Sequence, residues 1–469
     1  MEVAEKTKDP GLATDLNNFN STWTLIKHQD GHFSVASSRE EITSDITYNP
    51  YEHRQVAHPN GFLGAFLHIV KTSLGTGILA IPRAFKSAGL LVGLIGTLLV
   101  GLTCTHAIHI LVKASQKVCR QTRTPSLGFA DTAEGVFKLG PKGLRKYSRF
   151  AKIFVEASLF LVHFLADAVY LVFISISLIK LFSAYFPIVN TWDSYIFKLI
   201  LLVPLLIFGQ VRELKHLVPF SFIANLMLLI TFSTTGYYLF SGIEQVDIKE
   251  RNLVTTISGI PSFFSTVLFS MEGIGTIMPV ENSMVAPGFI GRCGVLNSAM
   301  TIIITLYTTI GFFGYYRFGE ATEATITANL PTDEIPAEVA QGAIAIAVFF
   351  SFMLVFYVPV DIVWSNIKDK IPKSKWNISQ IILRCTMISI ATGIAIAGGQ
   401  NLGQLIDLVG AIFLSTLGLF IPAFLDVIVD WHDGWGVYNW RLFKDFAMMA
   451  LALFGLVSGV FYAIKDIIG

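Results

Sequence analysis

Apolar positions along the chain gather into eleven runs, each about as long as the ~20 residues a helix needs to cross a hydrocarbon core. They cover 61–85, 88–112, 151–183, 194–211, 216–241, 259–280, 294–318, 340–363, 379–399, 404–429 and 445–466. The pattern predicts an all-α integral membrane protein of eleven transmembrane helices. The fourth run is the shortest and carries Lys198 and Pro204, yet dropping it would spoil the charge pattern described below. Residues 1–60 are polar, with little periodicity and no basic start followed by an apolar core, so they do not read as a signal peptide. They read as a disordered cytosolic tail, with an interaction segment as the alternative.

Two of the runs contain residues that suit a plain anchor poorly. Ser73-Leu74-Gly75-Thr76-Gly77-Ile78-Leu79-Ala80-Ile81-Pro82 lies inside the first, and Ser270-Met271-Glu272-Gly273-Ile274-Gly275-Thr276-Ile277-Met278-Pro279 inside the sixth. Both run from Ser to Pro over the same length, with glycines in the middle. Unwinding there frees backbone N–H groups at the start of a second half-helix, where the helix dipole favours an anion such as a carboxylate. Interrupted spans at matching places in two halves point to a transporter binding site. With the interruptions in spans one and six, the chain divides into five, five and one. The first repeat then covers 61–241, the second 259–429, and the last helix with the C-terminus 445–469. An odd number of spans per half makes the second repeat inverted.

Charge sets the orientation. Ten Lys or Arg residues lie from Lys113 to Lys152 against only Asp131 and Glu134, and Lys368, Lys370, Lys373 and Lys375 follow span eight. The link after span seven holds Glu320, Glu323, Asp333, Glu334 and Glu338 and no Lys or Arg. The positive-inside rule places the N-terminus in the cytosol and the C-terminus outside or in a lumen. Charged residues make up only 14% of the chain, against about 25% in soluble domains. The net charge of +1 gives no reason to expect a nucleic-acid partner. The four cysteines show no metal-ligand spacing and fall in no outward-facing link, so no structural disulfide is expected.

Ionisable residues inside spans are costly and usually face protein or a water-filled cavity. His68 and Lys71 precede the first interruption. His68 suits proton exchange, with a structural imidazole as the alternative; Lys71 suits pairing or snorkelling. Lys152, Glu156, His163, Asp167 and Tyr170 share a stripe about 60° wide on span three. Lys152 and Glu156 fit the wet cytosolic end. Asp167 and His163 are candidates for proton relay, or, for Asp167, for a buried structural pair. Glu272 either accepts a proton or holds the unwound segment, and Ser351 either helps build a cation site or packs. No nucleotide-binding loop, HExxH or GxSxG motif is present, so neither an enzyme nor a nucleotide-driven pump is expected. A channel would more naturally show a pore-loop filter.

Gly64-Ala65-Phe66-Leu67-His68-Ile69-Val70-Lys71 with Ser73 to Leu79, and Met271 to Gly275 with Met278-Pro279-Val280-Glu281-Asn282, resemble the first and sixth helices of the proton-coupled amino acid transporters. That family is a branch of the amino acid/auxin permeases, and the chain resembles its insect, pathetic-like members. The resemblance covers roughly 58–466. It implies a LeuT-type 5+5 inverted repeat plus one extra helix, and symport of Gly, Ala and Pro with protons at the plasma membrane or lysosome. It matches His68 to the family's proton-coupling histidine. One departure is the lack of cysteines for the family's external disulfide.

The expected substrate site takes the carboxylate at Gly75, Thr76 and Gly77 beside Ser73, and the ammonium near Phe269, Ser270 and Gly273, with Phe352 as a wall. Proton coupling is expected at His68, Asp167, His163 and Glu272. No metal or resident cofactor is expected, only a co-transported proton. Expected partners are the amino acid and membrane lipid, with a cytosolic signalling partner conceivable at the tail. The alternatives are a sodium-coupled or uncoupled carrier and an amino acid sensor.

Overall fold

A computed structural model describes residues 48–468 apart from 57, 58, 184, 213, 272, 332 and 433. The described chain is helical, in order α1 (Phe62–Ser73), α2 (Gly77–Ala88), α3 (Leu90–Thr122), α4 (Phe129–Leu139), α5 (Ser148–Ser183), α6 (Ser194–Phe208), α7 (Leu214–Phe240), α8 (Ile260–Ser270), α9 (Ile274–Asn282), α10 (Val295–Phe318), α11 (Ile335–Ile367), α12 (Trp376–Ala397), α13 (Leu402–Val429) and α14 (Trp440–Ile468). Among the described residues nine helical stretches are long and apolar enough to cross a membrane, with α8 and α9 counted as one. The bent pair α1–α2 makes a tenth. At 15 residues α6 falls short of the ~17–25 that span comfortably, so the expected count of eleven rests on that one helix.

The outer surface is what a bilayer requires. Leu99 and Leu102 of α3, Phe150 of α5, and Val457 and Phe461 of α14 are all exposed. A protein in water rarely displays so much apolar surface, whereas lipid solvates it at no cost. The protein is a multi-pass membrane protein.

Both interruptions are real and share one register. α1 ends at Ser73 and α2 resumes at Gly77; α8 ends at Ser270 and α9 resumes at Ile274, so each gap is three residues long. Pro82 and Pro279 then sit at the same position of their half-helices. The α1–α2 axis bends by 55°. Leu74 leaves helical geometry at φ −78°, ψ 57°, and Gly273 does so at φ −168°, ψ −6°.

The helices pack in two groups. α1, α2, α3, α8, α9 and α10 form one, and α5, α6, α11 and α12 the other, with α7 laid along α11. α13 packs on α8 and α14 and also reaches α3 and α5. Its middle, Gly410–Phe420, is π-helical, and Gly410 lets it approach α8 so closely that a Cβ there would lie 2.1 Å from the Ser265 carbonyl oxygen.

The basic link after α3 holds a helix of its own, because Phe129, Ala133, Val136 and Phe137 give α4 a buried face that packs on α5. One expectation changes, for the polar tail ends earlier than residue 60. Pro50–His53 form a turn of 3₁₀-helix, and the buried Arg54 donates to Glu281 Oε2 (2.8 Å) and to the carbonyls of Glu281 (2.7 Å) and Met284 (2.8 Å). Tyr51 donates to Glu281 Oε1 (3.0 Å), and Gln116 of α3 donates to Tyr51 (2.7 Å). A buried carboxylate with a guanidinium and two more donors is the arrangement that offsets its desolvation. That network ties this segment to the end of α9. Residues 1–47 of the expected tail lie outside the described residues.

Candidate functional site

The two interruptions meet in the middle of the first helix group. A Cβ on Gly77 would fall 2.7 Å from Ser270 Cα, and one on Gly273 would fall 3.4 Å from Ser73 Oγ. Ser270 Oγ lies within hydrogen-bond reach of the carbonyls of Gly77 (2.9 Å) and Thr266 (2.8 Å). Ser73, Gly75, Thr76, Gly77, Ser270 and Gly273, expected as one site from two distant stretches, are thus brought together. Gly75 N–H is already engaged, donating to the Ser73 carbonyl at 2.9 Å. The amides that open α2 at Gly77 and Ile78 have no intrahelical partner and carry the positive end of its dipole.

The opposite pole is held by a residue that sequence reasoning missed. Tyr307 of α10 is fully buried, and its hydroxyl bonds to the Ser73 carbonyl and to the Ser270 carbonyl, the latter at 2.7 Å. These are the last residues of α1 and α8. A phenol has one proton to donate, so it cannot satisfy both carbonyls fully at once. The site therefore offers acceptor capacity at two negative helix ends, beside donor capacity at a positive one. A zwitterion with its ammonium and carboxylate a few ångströms apart matches that polarity.

Tyr307→Phe is expected to lower the thermal unfolding midpoint and to impair transport, because two buried carbonyls lose a donor at about 1–3 kcal/mol. Thermal unfolding of the purified protein checks it; an unchanged midpoint with normal transport would exclude a role for the Tyr307 hydroxyl at the two helix ends.

The proton-relay candidates divide. His163 of α5 lies against α9, since a Cβ on Gly275 would be 3.1 Å from its Cε1, and its Nδ1 is 2.8 Å from the Leu159 carbonyl. Asp167, one turn further along α5, is fully buried, and among the described residues neither carboxylate oxygen has a hydrogen-bond partner, so no structural pair is seen there. His68 lies half-buried on α1, where its carbonyl accepts from Thr72 Oγ1. Lys152 pairs with Asp131 at 2.6 Å and with Glu134 at 3.5 Å, which makes it a tether between α5 and α4. Lys71 reaches Ser221 Oγ at 3.3 Å. Glu272 lies outside the described residues.

Phe269, expected near the ammonium, has its Cβ 3.3 Å from where a Cβ on Gly410 of α13 would be. Phe352, the expected wall, is fully buried and stacks on Phe356 at 5.7 Å within α11, which packs chiefly on α5 and α7.

A second missed cluster joins α2, α8 and α13. Arg83 of α2 pairs with Asp407 of α13 at 3.1 Å, and Asp407 also accepts from Ser262 (2.6 Å) and Thr266 of α8. Both ionisable residues stand inside apolar runs, the same signal that singled out Asp167.

Comparison with known proteins places these observations in a family. The family model described as transmembrane amino acid transporter protein matches residues 58–468. The Drosophila melanogaster proton-coupled amino acid transporter-like protein pathetic is 36% identical over 438 residues, 92% of this chain and 90% of that protein. The Caenorhabditis elegans probable amino acid transporter skat-1 is 24% identical over 416 residues, 86% of this chain and 89% of that one. Among solved structures, Mhp1, a nucleobase-cation-symport-1 family transporter with bromovinylhydantoin bound, aligns with a TM-score of 0.48 at 13% identity over 90% of this chain and 94% of its own. MhsT in complex with L-phenylalanine aligns with a TM-score of 0.48 at 15% identity, over 88% of this chain and 98% of its own.

Proposed function

The chain belongs to the transmembrane amino acid transporter family, a family of carriers rather than enzymes, and on that premise we propose that it is a proton symporter of small neutral amino acids such as Gly, Ala and Pro. The observation that carries this reading is the pair of interruptions in one register, abutting at Gly77 and Ser270. The substrate carboxylate binds at the start of α2, around Thr76 and Gly77. The ammonium binds at the ends of α1 and α8, where Ser73 and Ser270 present carbonyls beside Tyr307. Glycines bring the backbone close enough for a side chain no larger than that of proline.

The architecture that goes with this reading is the LeuT-type 5+5 inverted repeat with an extra helix, in which α6 serves as the fourth span. The α1–α2–α3–α8–α9–α10 group rocks against the α5–α6–α11–α12 group, alternately opening either side of the site. Arg83 with Asp407 closes one side, and Arg54 with Glu281 the other. The N-terminus is cytosolic, the C-terminus extracellular or luminal, and the membrane is the plasma membrane or the lysosomal one. His68, His163, Asp167 and Glu272 carry the coupled proton.

Uptake of labelled alanine and proline into proteoliposomes, with an imposed pH gradient and no sodium, tests the reading. Uptake is expected to rise on the acid side and to fall with an uncoupler. His68→Ala is expected to lose that acid stimulation while retaining exchange. Flux indifferent to pH in the parent protein would reject proton coupling, and flux that needs sodium would assign a different driving ion.

A further inference from the structure

At the lysine-rich end of the second helix group lies a polar cavity that the transport site does not use. It measures about 120 Å³, well above the ~10–15 Å³ that one water needs. Its walls include Arg212 from the α6–α7 link, Tyr357, Asp361 and Trp364 from the last turns of α11, and Gln380 and Arg384 from the first turns of α12.

Arg384 is only 5% exposed. Its Nη1 donates to the carbonyls of Gly209 (2.8 Å) and Val211 (3.0 Å), while its Nε is buried with no partner among the described residues. Gln380 Oε1 is likewise buried and without a partner among them. Arg212 spends one weak bond, at 3.4 Å, on the Asn377 carbonyl. Among the described residues no ion pair joins Asp361 to either arginine. A buried guanidinium with an unused N–H in the wall of a cavity is costly unless an acceptor enters.

The surroundings select an anion. Lys368, Lys370, Lys373 and Lys375 lie in the short link between α11 and α12, so six cations stand against Asp361 and Asp369. Two guanidinium forks suit the oxygens of a phosphate. The depth is that of lipid headgroups, because Trp364 and Trp376 pack edge to face at 6.0 Å where α11 ends and α12 begins, and tryptophan concentrates at that level. Basic pockets between helices at the membrane face are where anionic headgroups bind.

We propose that this cavity is a phosphate-binding site. Arg384 and Arg212 grip the phosphate oxygens, Asp361 accepts from a hydroxyl or ammonium of the same group, and the four lysines draw it in. The phosphate comes from an anionic phospholipid headgroup or from free phosphate.

Native mass spectrometry of the full-length protein separates the sources. Protein in detergent is given a phosphatidylinositol phosphate, phosphatidylserine or phosphatidylcholine in turn, and inorganic phosphate is titrated calorimetrically into the delipidated protein. Retention of the two anionic lipids but not of phosphatidylcholine assigns the headgroup; heat from inorganic phosphate without lipid retention assigns free phosphate. Arg384→Gln and Arg212→Gln are each expected to weaken binding about tenfold, the loss of one charge-assisted contact. Arg212→Gln leaves the bonds to Gly209 and Val211 intact, so it decides the matter if Arg384→Gln fails to fold. Equal retention of phosphatidylcholine, no binding of any probe, or parent-like binding by Arg212→Gln would overturn the site.

Discussion

Gly77→Ala is expected to abolish substrate transport, whereas Gly75→Ala, two residues away in the same interruption, is expected to leave it near the parent level. The contrast follows from what each new methyl group meets. At Gly77 the Cβ would lie 2.7 Å from Ser270 Cα, 3.1 Å from its carbonyl oxygen and 3.2 Å from its Cβ. These are mostly backbone atoms at the end of α8, so no rotamer change relieves the clash and the two interruptions must move apart. Overpacking of this kind costs about 1–3 kcal/mol. It also strains the bond from Ser270 Oγ to the Gly77 carbonyl and the double contact of Tyr307. Misplacing interacting groups by an ångström costs about 100-fold in rate where geometry governs turnover. At Gly75 nothing lies within 4 Å of the added carbon. Uptake by the two variants, normalised to folded protein by size-exclusion chromatography, reads the difference. Equal behaviour of the pair would mean that the close approach of α2 to α8 does not govern transport.

The second large effect is expected at Asp167. Asp167→Asn should keep exchange of substrate across the membrane but lose its accumulation against a gradient. Both oxygens of Asp167 are buried without a partner among the described residues. An ionised carboxylate in that position costs several kcal/mol unless a cation or a proton joins it. Asparagine keeps the shape and removes the charge, so the fold is expected to tolerate it, with an unchanged or higher unfolding midpoint. Each coupled proton is worth at most about tenfold accumulation per unit of pH gradient. That factor is what the variant is expected to lose. His163 lies one turn away and faces Gly275 beside the second interruption, which gives a physical connection between Asp167 and the binding site. Parent-level accumulation and an unaltered pH profile in Asp167→Asn would make the carboxylate a structural residue.

Much of this was readable along the chain because its causes are local. Ten of the eleven apolar runs became spans or span-length helix pairs, since twenty consecutive apolar residues have few alternatives in a bilayer. The interruptions were readable because Gly, Ser and Thr in mid-span weaken a helix whatever surrounds them. Even their common register was visible, as two stretches of equal length from Ser to Pro. Lys152 also behaved as its position near a wet helix end suggested, pairing with Asp131.

Other features had no local signature. Tyr307 is one of 14 tyrosines, and nothing about its neighbours in sequence separates it from a packing residue. Arg83 and Asp407 carried the same intramembrane signal as Asp167, but their meeting across 324 residues belongs to the fold. Phe352 was singled out by residue type and span, whereas the packing of its helix on α5 and α7 is set by the fold. Residues 48–54 look like the rest of a polar tail until Glu281 is in place to receive Arg54 and Tyr51.

By itself the sequence determined that this is a membrane protein of many helical spans with two matched interruptions, because length, apolarity and glycine content act over a few turns of chain. Only the tertiary structure decided that the interruptions abut at Gly77 and Ser270, that one buried hydroxyl serves both helix ends, and that Asp167 is buried with no partner among the described residues. Those are statements about what lies across a gap of a few ångströms from residues far apart in the chain, and only packing brings the two sides together.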